Sequence, residues 1–168
     1  MKIALVYKSK MGASLFYAEA LAKALQGDVF FHKQMPAGGY DLVIYCAGLT
    51  AGNIDGYKKY KTALEAAGTD LWMAVSCLAT PGEELRAKTA EKAGMDPEKV
   101  FLLRGKMNIN RAGLFEKWML MAFRAKLRNK EQKTQEDRDM IHALTYPTDY
   151  CDTKYILPIV KKVREREE

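Results

Sequence analysis

The chain has 168 residues, of which 48% are hydrophobic and 29% are charged, and its formal net charge is +6. This length and composition are typical of one globular domain covering residues 1–168, and they exclude a disordered or fibrous chain. No apolar run approaches the roughly 18 residues of a membrane span, and residues 1–2 lead into a strand-like segment without a signal peptide. Three separated cysteines and two histidines indicate neither a disulfide framework nor a zinc site. We therefore expect a cytoplasmic protein with reduced thiols.

Short apolar runs alternate along the chain with segments whose apolar residues recur every three or four positions. The short runs predict buried strands, and the longer spacing predicts amphipathic helices. In chain order these are a strand at 2–7, a helix at 14–25, strands at 28–32 and 41–47, a helix at 57–67, a strand at 71–77, a helix beginning at Pro81 and ending before Gly94, a strand at 100–104, and helices at 114–129, 135–144 and 153–166. This alternation predicts right-handed βαβ units, an open parallel sheet, and a ligand site at the carboxyl ends of its strands.

Three loops are predicted at that edge. In residues 9–14, a glycine and two serines precede a helix, so backbone N–H groups, hydroxyls and the helix N-terminus would converge on a phosphate. An N-cap serine with a turn glycine explains the same residues without a ligand. Residues 48–53 either let the backbone approach a planar ligand or form an ordinary polar turn. Residues 76–80 contain Cys77, which we interpret as a small apolar residue because no histidine accompanies it in sequence.

Motifs for other chemistries are absent from the sequence. It contains no G-x-x-x-x-G-K-[ST], no G-x-G-x-x-G, no G-x-S-x-G and no H-E-x-x-H. Nucleoside triphosphate binding, dinucleotide binding, α/β-hydrolase chemistry and zinc proteolysis therefore lose their main support.

Segments at the predicted loops carry a family resemblance. The first strand leads into Y-K-S-K-M-G-A-S, and the third into C-A-G-L-T-A-G-N-I-D-G-Y-K-K-Y. This order resembles flavodoxin-like domains, in which S/T-x-T-G-x-S/T binds the FMN phosphate. It is most similar to the flavodoxin domain typified by menaquinone-dependent protoporphyrinogen oxidase. The stretches F-L-L-R-G-K-M-N, E-D-R-D-M-I-H-A-L and Y-C-D-T-K-Y-I-L-P-I-V extend the resemblance over nearly the whole chain.

The resemblance implies a flavodoxin-like α/β fold: a doubly wound, five-stranded parallel sheet of order 2-1-3-4-5 with helices on both faces. It implies FMN as the cofactor, with its phosphate in the first loop and its isoalloxazine ring at the second and third loops. No catalytic side chain and no metal ligand is predicted. The implied FMN-binding residues are Ser9, Lys10, Met11, Gly12, Ala13, Ser14, Leu49, Thr50, Ala51, Gly52, Asn53, Cys77, Leu78, Ala79 and Thr80.

Two departures from the family pattern affect this site. Met11 stands where the motif usually has threonine, so one hydroxyl donor is missing, at a cost of about 1 kcal/mol or more beside a charged acceptor. The second and third loops also lack the aromatic side chains that sandwich the ring in electron-carrier flavodoxins. We expect a ring that is more exposed on one face, which suits an enzyme that admits a substrate.

Positive charge concentrates between residues 104 and 133, where nine Lys or Arg and two Glu give a balance of +7 and leave about −1 for the rest of the chain. Two interpretations stay open. The helix at 114–129 packs its apolar stripe on the sheet with solvated cations, or the segment 104–133 meets an anionic partner, such as a porphyrin carboxylate, a quinone-containing membrane or an acidic protein. Nucleic acid is not expected, because no helix-turn-helix or aromatic platform is evident. The stripe comprises Leu114, Phe115, Trp118, Met119, Ala122 and Ala125, and the cations beside it are Lys117, Arg124 and Arg128.

The sequence therefore predicts an FMN-binding redox protein, an oxidoreductase resembling protoporphyrinogen oxidase, with a small molecule or a protein as its redox partner. It would be cytoplasmic and peripheral to the membrane if the basic segment docks there. A flavodoxin-type electron carrier and a flavin-free scaffold for protein contacts are the alternatives.

Overall fold

The computed structural model describes residues 1–167, and a parallel sheet forms their centre. Its strand order is β2-β1-β3-β5-β6, which is 2-1-3-4-5 when the parallel strands alone are counted along the chain. The flavodoxin-like topology predicted from the sequence is thus confirmed. In chain order the strands are β1 (Ile3–Lys8), β2 (Asp28–Phe31), β3 (Tyr40–Thr50), β4 (Asn53–Ile54), β5 (Gly68–Cys77), β6 (Val100–Arg104), β7 (Lys106–Met107) and β8 (Thr148–Asp149).

Helices cover both faces of the sheet. The helices are α1 (Ala13–Leu25), α2 (Tyr57–Ala67), α3 (Glu83–Ala93), α4 (Leu114–Arg128), α5 (Gln135–Ala143) and α6 (Leu157–Glu165). One apolar cluster joins α1 and α6 to the sheet through Leu21 and Ile159. The other joins α2 and α3 to the opposite face through Leu64 and Ala90. Because both faces are covered, the central strands β3 and β5 are apolar without alternation, as the sequence predicted.

Two predicted helix boundaries are wrong. Pro81 precedes the third helix instead of opening it, because Gly82 is extended and serves as the N-cap of α3. The last predicted helix, 153–166, is divided into a 3₁₀ turn at Thr153–Ile156 and α6, with Pro158 in the first turn of α6. Both errors lie at helix N-termini, where proline is compatible with several positions.

A long insert separates the last core strand from the last helix. After β6 the chain enters β7, passes through α4 and α5, and returns through β8, which pairs antiparallel with β7. The ends of the insert are close together, because Tyr150 N donates a hydrogen bond to Gly105 O at 3.0 Å. We call residues 106–149 the insert. It stands at the carboxyl edge of the sheet, beside the loops expected to bind a ligand.

Helix α4 does not pack its apolar stripe on the sheet, and the first of the two interpretations of this segment is therefore wrong. No residue of α4 is buried, and Leu114, Phe115 and Trp118 are 92%, 72% and 66% exposed. Instead, α4 lies beside α5. Arg124 Nη1 donates a hydrogen bond at 3.1 Å to the carbonyl oxygen of Leu144, the C-cap of α5. Arg124 is thus a cation that joins the two helices and is not simply solvated. No helix in residues 1–167 is both long and apolar enough to cross a membrane.

Candidate functional site

The three predicted loops meet at the carboxyl edge of the sheet, around a cavity of about 510 Å³. This volume lies within the range of about 300–1,000 Å³ that small-molecule sites occupy. All of the predicted site residues line the cavity except Gly12, Asn53 and Thr80. Gly12 supplies the backbone turn next to the lining residues, whereas Thr80 accepts a hydrogen bond from Arg104 Nη1 at 3.0 Å, and the side chain of Asn53 donates to Ala51 O. The structure therefore brings the three loops together.

The first loop forms an uncapped helix N-terminus. Gly12 is the N-cap of α1 with φ of +96°, a left-handed conformation that favours glycine, and no side chain caps the helix. The interpretation of Ser14 as an N-cap is thus wrong, because Ser14 lies inside the first turn of α1. Ser9 instead organises the loop, since its Oγ accepts from Gly12 N at 3.0 Å. The N–H groups of the first turn have no acceptor within the helix and remain available to an anion.

Two lysines lie at this N-terminus, and acids of the insert hold both. Lys10 Nζ donates to Glu116 Oε1 at 3.1 Å. Lys106 Nζ lies 3.7 Å from Asp149 Oδ2, and a Cβ added at Gly12 would lie 3.0 Å from Lys106 Cε. Burial lowers the pKa of Lys10, but its hydrogen bond to Glu116 and the charge of Asp55 together raise that pKa above its ordinary value. Lys10 is therefore charged at neutral pH.

The second loop is a tight β-hairpin. Strands β3 and β4 pair antiparallel, and Ala51 and Gly52 connect them with φ of +49° and +73°. Positive φ at both central residues defines a type I′ turn, which the Ala-Gly sequence allows at the cost of strain at Ala51. Lys92 Nζ donates to Ala51 O at 3.1 Å and holds the turn from α3. The hairpin thus presents a fixed backbone to the cavity.

The third loop contributes a buried thiol and a hydroxyl. Burial raises the pKa of Cys77 to about 11, against a smaller opposing effect of Arg104, so the thiol is protonated at neutral pH. Its Sγ lies 3.4 Å from Ala79 O. Ser76 Oγ lies 3.3 Å from Ser14 Oγ and joins the third loop to the first. Cys77 is therefore a packing residue of the site, in agreement with the sequence interpretation, and not an activated nucleophile.

The insert supplies one wall of the cavity, and sequence reasoning did not find its residues. This wall is mainly apolar and includes one aromatic ring, Phe123, in a site whose predicted loops contain none. The position of Gly105 and Lys106, directly after the fifth parallel strand, could have predicted that they line the site, because the carboxyl ends of parallel strands meet at one edge. The residues of α4 and α5 gave no such signal. The wall residues are Lys106, Met107, Glu116, Met119, Leu120, Phe123, Met140 and Leu144.

Titratable groups at the site do not form a metal centre. Within residues 1–167, no group of three or more His, Cys, Asp or Glu side chains is placed to hold a metal ion. The chemistry available to the chain's own residues is anion binding at the first loop and apolar contact at the insert.

A model of the flavodoxin domain matches residues 4–135. No curated protein sequence matches the chain. Among solved structures, a flavodoxin from the domain Archaea is 14% identical, with a TM-score of 0.45, covering 86% of this chain and 97% of that one. A WrbA-like flavodoxin from Agrobacterium tumefaciens is 10% identical, with a TM-score of 0.41 and coverages of 86% and 93%. A Trp repressor binding protein from Bacillus subtilis is 12% identical, with a TM-score of 0.35 and coverages of 85% and 99%.

The family match begins in the first strand and ends in α5, and it therefore includes the phosphate-type loop, the hairpin and the third loop of the site. It covers well over half of the chain. The chain belongs to the flavodoxin domain family.

Proposed function

We propose that the chain is an FMN-dependent redox protein. The observation that carries the proposal is the uncapped N-terminus of α1, where a left-handed Gly12 leaves backbone N–H groups free and Lys10 and Lys106 lie alongside. A helix N-terminus with adjacent cations favours a phosphate. The remaining cavity is bounded by backbone and apolar side chains, which suits a planar ring system. The described residues therefore fit FMN.

Each loop has a separate task in this function. FMN, when bound, supplies one- and two-electron transfer. Ser9, the first turn of α1 and Lys106 would hold its phosphate, and the fixed Ala51–Gly52 turn would contact the ring. Cys77 keeps its proton and adds apolar surface. The protein's contribution would be to position the cofactor and to exclude water from it.

The finer proposal is an oxidoreductase of the protoporphyrinogen-oxidase type, with an electron carrier as the alternative. The insert favours the enzyme, because α4 and α5 place Leu120, Phe123 and Met140 around a cavity that a carrier would leave open to a protein partner. This revises the expectation of a ring exposed on one face, because the insert provides a wall that the three loops lack. The resemblance to protoporphyrinogen oxidase rests on sequence segments such as F-L-L-R-G-K-M-N across the end of the fifth strand of the parallel sheet.

Flavin titration tests whether the chain binds FMN. We expect purified protein mixed with FMN to keep its flavin absorbance after free FMN is removed by gel filtration. It should bind FMN at least about tenfold more tightly than riboflavin, since riboflavin has no phosphate. Lys106→Gln should weaken FMN binding and leave riboflavin binding unchanged. Lys23→Gln is the matched control, because Lys23 is exposed in the last turn of α1, at the end opposite the first loop. Equal affinity for FMN and riboflavin would remove the first loop from the site, and no binding of either would favour the flavin-free scaffold.

Turnover separates the enzyme from the carrier. We expect the FMN-loaded protein to oxidise protoporphyrinogen with a quinone as the electron acceptor. Reduction of a protein partner without any such turnover would favour the carrier.

A further inference from the structure

Helix α4 presents an apolar face to solvent on the side away from the cavity. By the spacing of 3.6 residues per turn, this face is opposite Glu116, Leu120 and Phe123, which line the cavity. Every residue of the face is exposed, and exposed apolar surface of this extent on one helix marks an interaction site. We call it the outward face of α4; it comprises Leu114, Phe115, Trp118, Met121, Ala122 and Ala125.

Cations without partners flank the outward face. Lys117 and Lys126 lie on opposite sides of it by helical spacing, and Arg111 precedes it. In residues 1–167, none of these three side chains makes a hydrogen bond or an ion pair, unlike Arg124, which is held by α5. The one acid of α4, Glu116, lies on the cavity side and pairs with Lys10. The outward face is therefore apolar at its centre and positive at its margins.

We propose that the outward face of α4 docks on the surface of a bilayer that contains anionic lipid. Leu, Phe and Trp side chains on one face with Lys and Arg beside them are the pattern of a helix lying in the membrane interface. Charge complementarity disfavours a second copy of the chain, because two copies of so basic a face would repel each other across a symmetric interface. The proposal goes beyond the FMN-dependent function and does not depend on it.

Docking in this orientation would leave α4 between the lipid and the cavity. The helix is about 10 Å across, so the cavity would open within about one helix diameter of the headgroups. Trp118 would enter the interfacial layer, because its indole combines an apolar ring with an N–H that reaches water. The insert thus contacts the membrane with one side of α4 and the ligand cavity with the other.

Vesicle binding tests the proposal. We expect the wild-type chain to sediment with vesicles of phosphatidylcholine mixed with phosphatidylglycerol, and to bind pure phosphatidylcholine far more weakly. Tryptophan emission should shift to the blue on binding; Trp118 is the responsive residue, because Trp72 is already buried in the core. Added salt should weaken binding, since exposed charges are screened over about 8 Å at physiological ionic strength.

Two double variants with the same charge change distinguish binding through the outward face of α4 from binding through the net charge of the protein. Lys117→Glu with Lys126→Glu should reduce vesicle affinity by about tenfold or more. The control is Lys23→Glu with Lys58→Glu, which makes the same charge change at exposed positions of α1 and α2 and should retain binding. Phe115→Ser should also weaken binding, without loss of FMN affinity. The proposal is overturned if wild type ignores anionic vesicles at low salt, if both double variants lose binding equally, or if the free protein is a dimer that buries Trp118.

Discussion

The two tryptophans of the chain lie in opposite environments. Trp72, in β5, is 2% exposed and packs against Phe101, whereas Trp118, in α4, is 66% exposed and stacks on Phe115. The first belongs to the sheet core and the second to the insert. Apolar side chains in the core hold the fold together, and equally apolar side chains in the insert face a cavity or solvent. The same residue type therefore serves stability in one region and lies outside the core in the other.

Substitution of each tryptophan by alanine should give the largest difference in the free energy of unfolding between the two regions. Trp72→Ala should lower the free energy of unfolding by about 3–5 kcal/mol, because it leaves a cavity in the core. Trp118→Ala should change it by less than about 0.5 kcal/mol, because the side chain is mostly solvated. Urea unfolding monitored by circular dichroism measures both. A large loss in Trp118→Ala would mean that α4 is part of the cooperative core, and the comparison would fail.

A charge at Gly12 tests whether the cofactor site belongs to the core loops. Gly12→Asp should reduce FMN affinity by about a hundredfold or more, equivalent to about 2.8 kcal/mol, because it places a side chain against Lys106 and a negative charge beside the phosphate. Gly94→Asp is the control, since Gly94 also has positive φ, +66°, but an added Cβ there meets nothing within 4 Å. Isothermal titration with FMN compares them. Equal losses in both variants would indicate that backbone strain is the cause, and not the site.

A hydroxyl at position 11 should sharpen the assignment of the phosphate. Met11 lines the cavity next to the first turn of α1, and it belongs to neither apolar cluster of the core. Met11→Thr should therefore improve FMN affinity by up to about tenfold, or 1.4 kcal/mol, through one charge-assisted hydrogen bond. Met11→Ala controls for the loss of bulk and should not improve it. Weaker binding of FMN by both variants would show that the thioether itself contacts the flavin.

The smallest expected effect is a change in the free energy of unfolding on substitution of Asp70, which lies at the end of the core farthest from the site. Burial raises the pKa of Asp70, but hydrogen bonds from Lys99 and from Leu71 N lower that pKa below its ordinary value of 3.8. A carboxyl whose pKa is lower in the folded state adds stability above its ordinary pKa, and that stability is lost as the pH falls through the folded value. Asp70→Asn should therefore cost about 1 kcal/mol at pH 7 and flatten the loss of stability in acid below pH 3.8.

Chemical unfolding over a pH series checks this effect. Glu65→Gln is the control, since Glu65 and Lys61 form an exposed pair on α2 at 3.8 Å, and such pairs contribute little to stability. An unchanged acid limb in Asp70→Asn would contradict the role given to its hydrogen bonds.

The core could be predicted from the sequence because each of its elements faces a single environment. Buried parallel strands are short apolar runs, and the rule that ligands bind at their carboxyl ends identified all three loops. The insert could not be placed in the same way. Helix α4 is apolar on most of its circumference, so periodicity predicted the helix but not the neighbour it would contact. The left-handed conformation of Ala51 was also not predicted, because alanine rarely adopts positive φ.

The short β7–β8 ribbon makes the insert modular. The ribbon brings the two ends of the insert together, and Tyr150 N donates a hydrogen bond to Gly105 O. The rest of the domain is therefore connected as it would be by a short loop. Doubling the length of such a loop adds only about 0.6 kcal/mol of closure entropy. A segment of different length or polarity between Met107 and Thr148 would release Lys10 from Glu116, but it would leave the Ser9–Gly12 hydrogen bond of the first loop intact. On one scaffold, the first loop and the cavity wall that the insert supplies can therefore change separately.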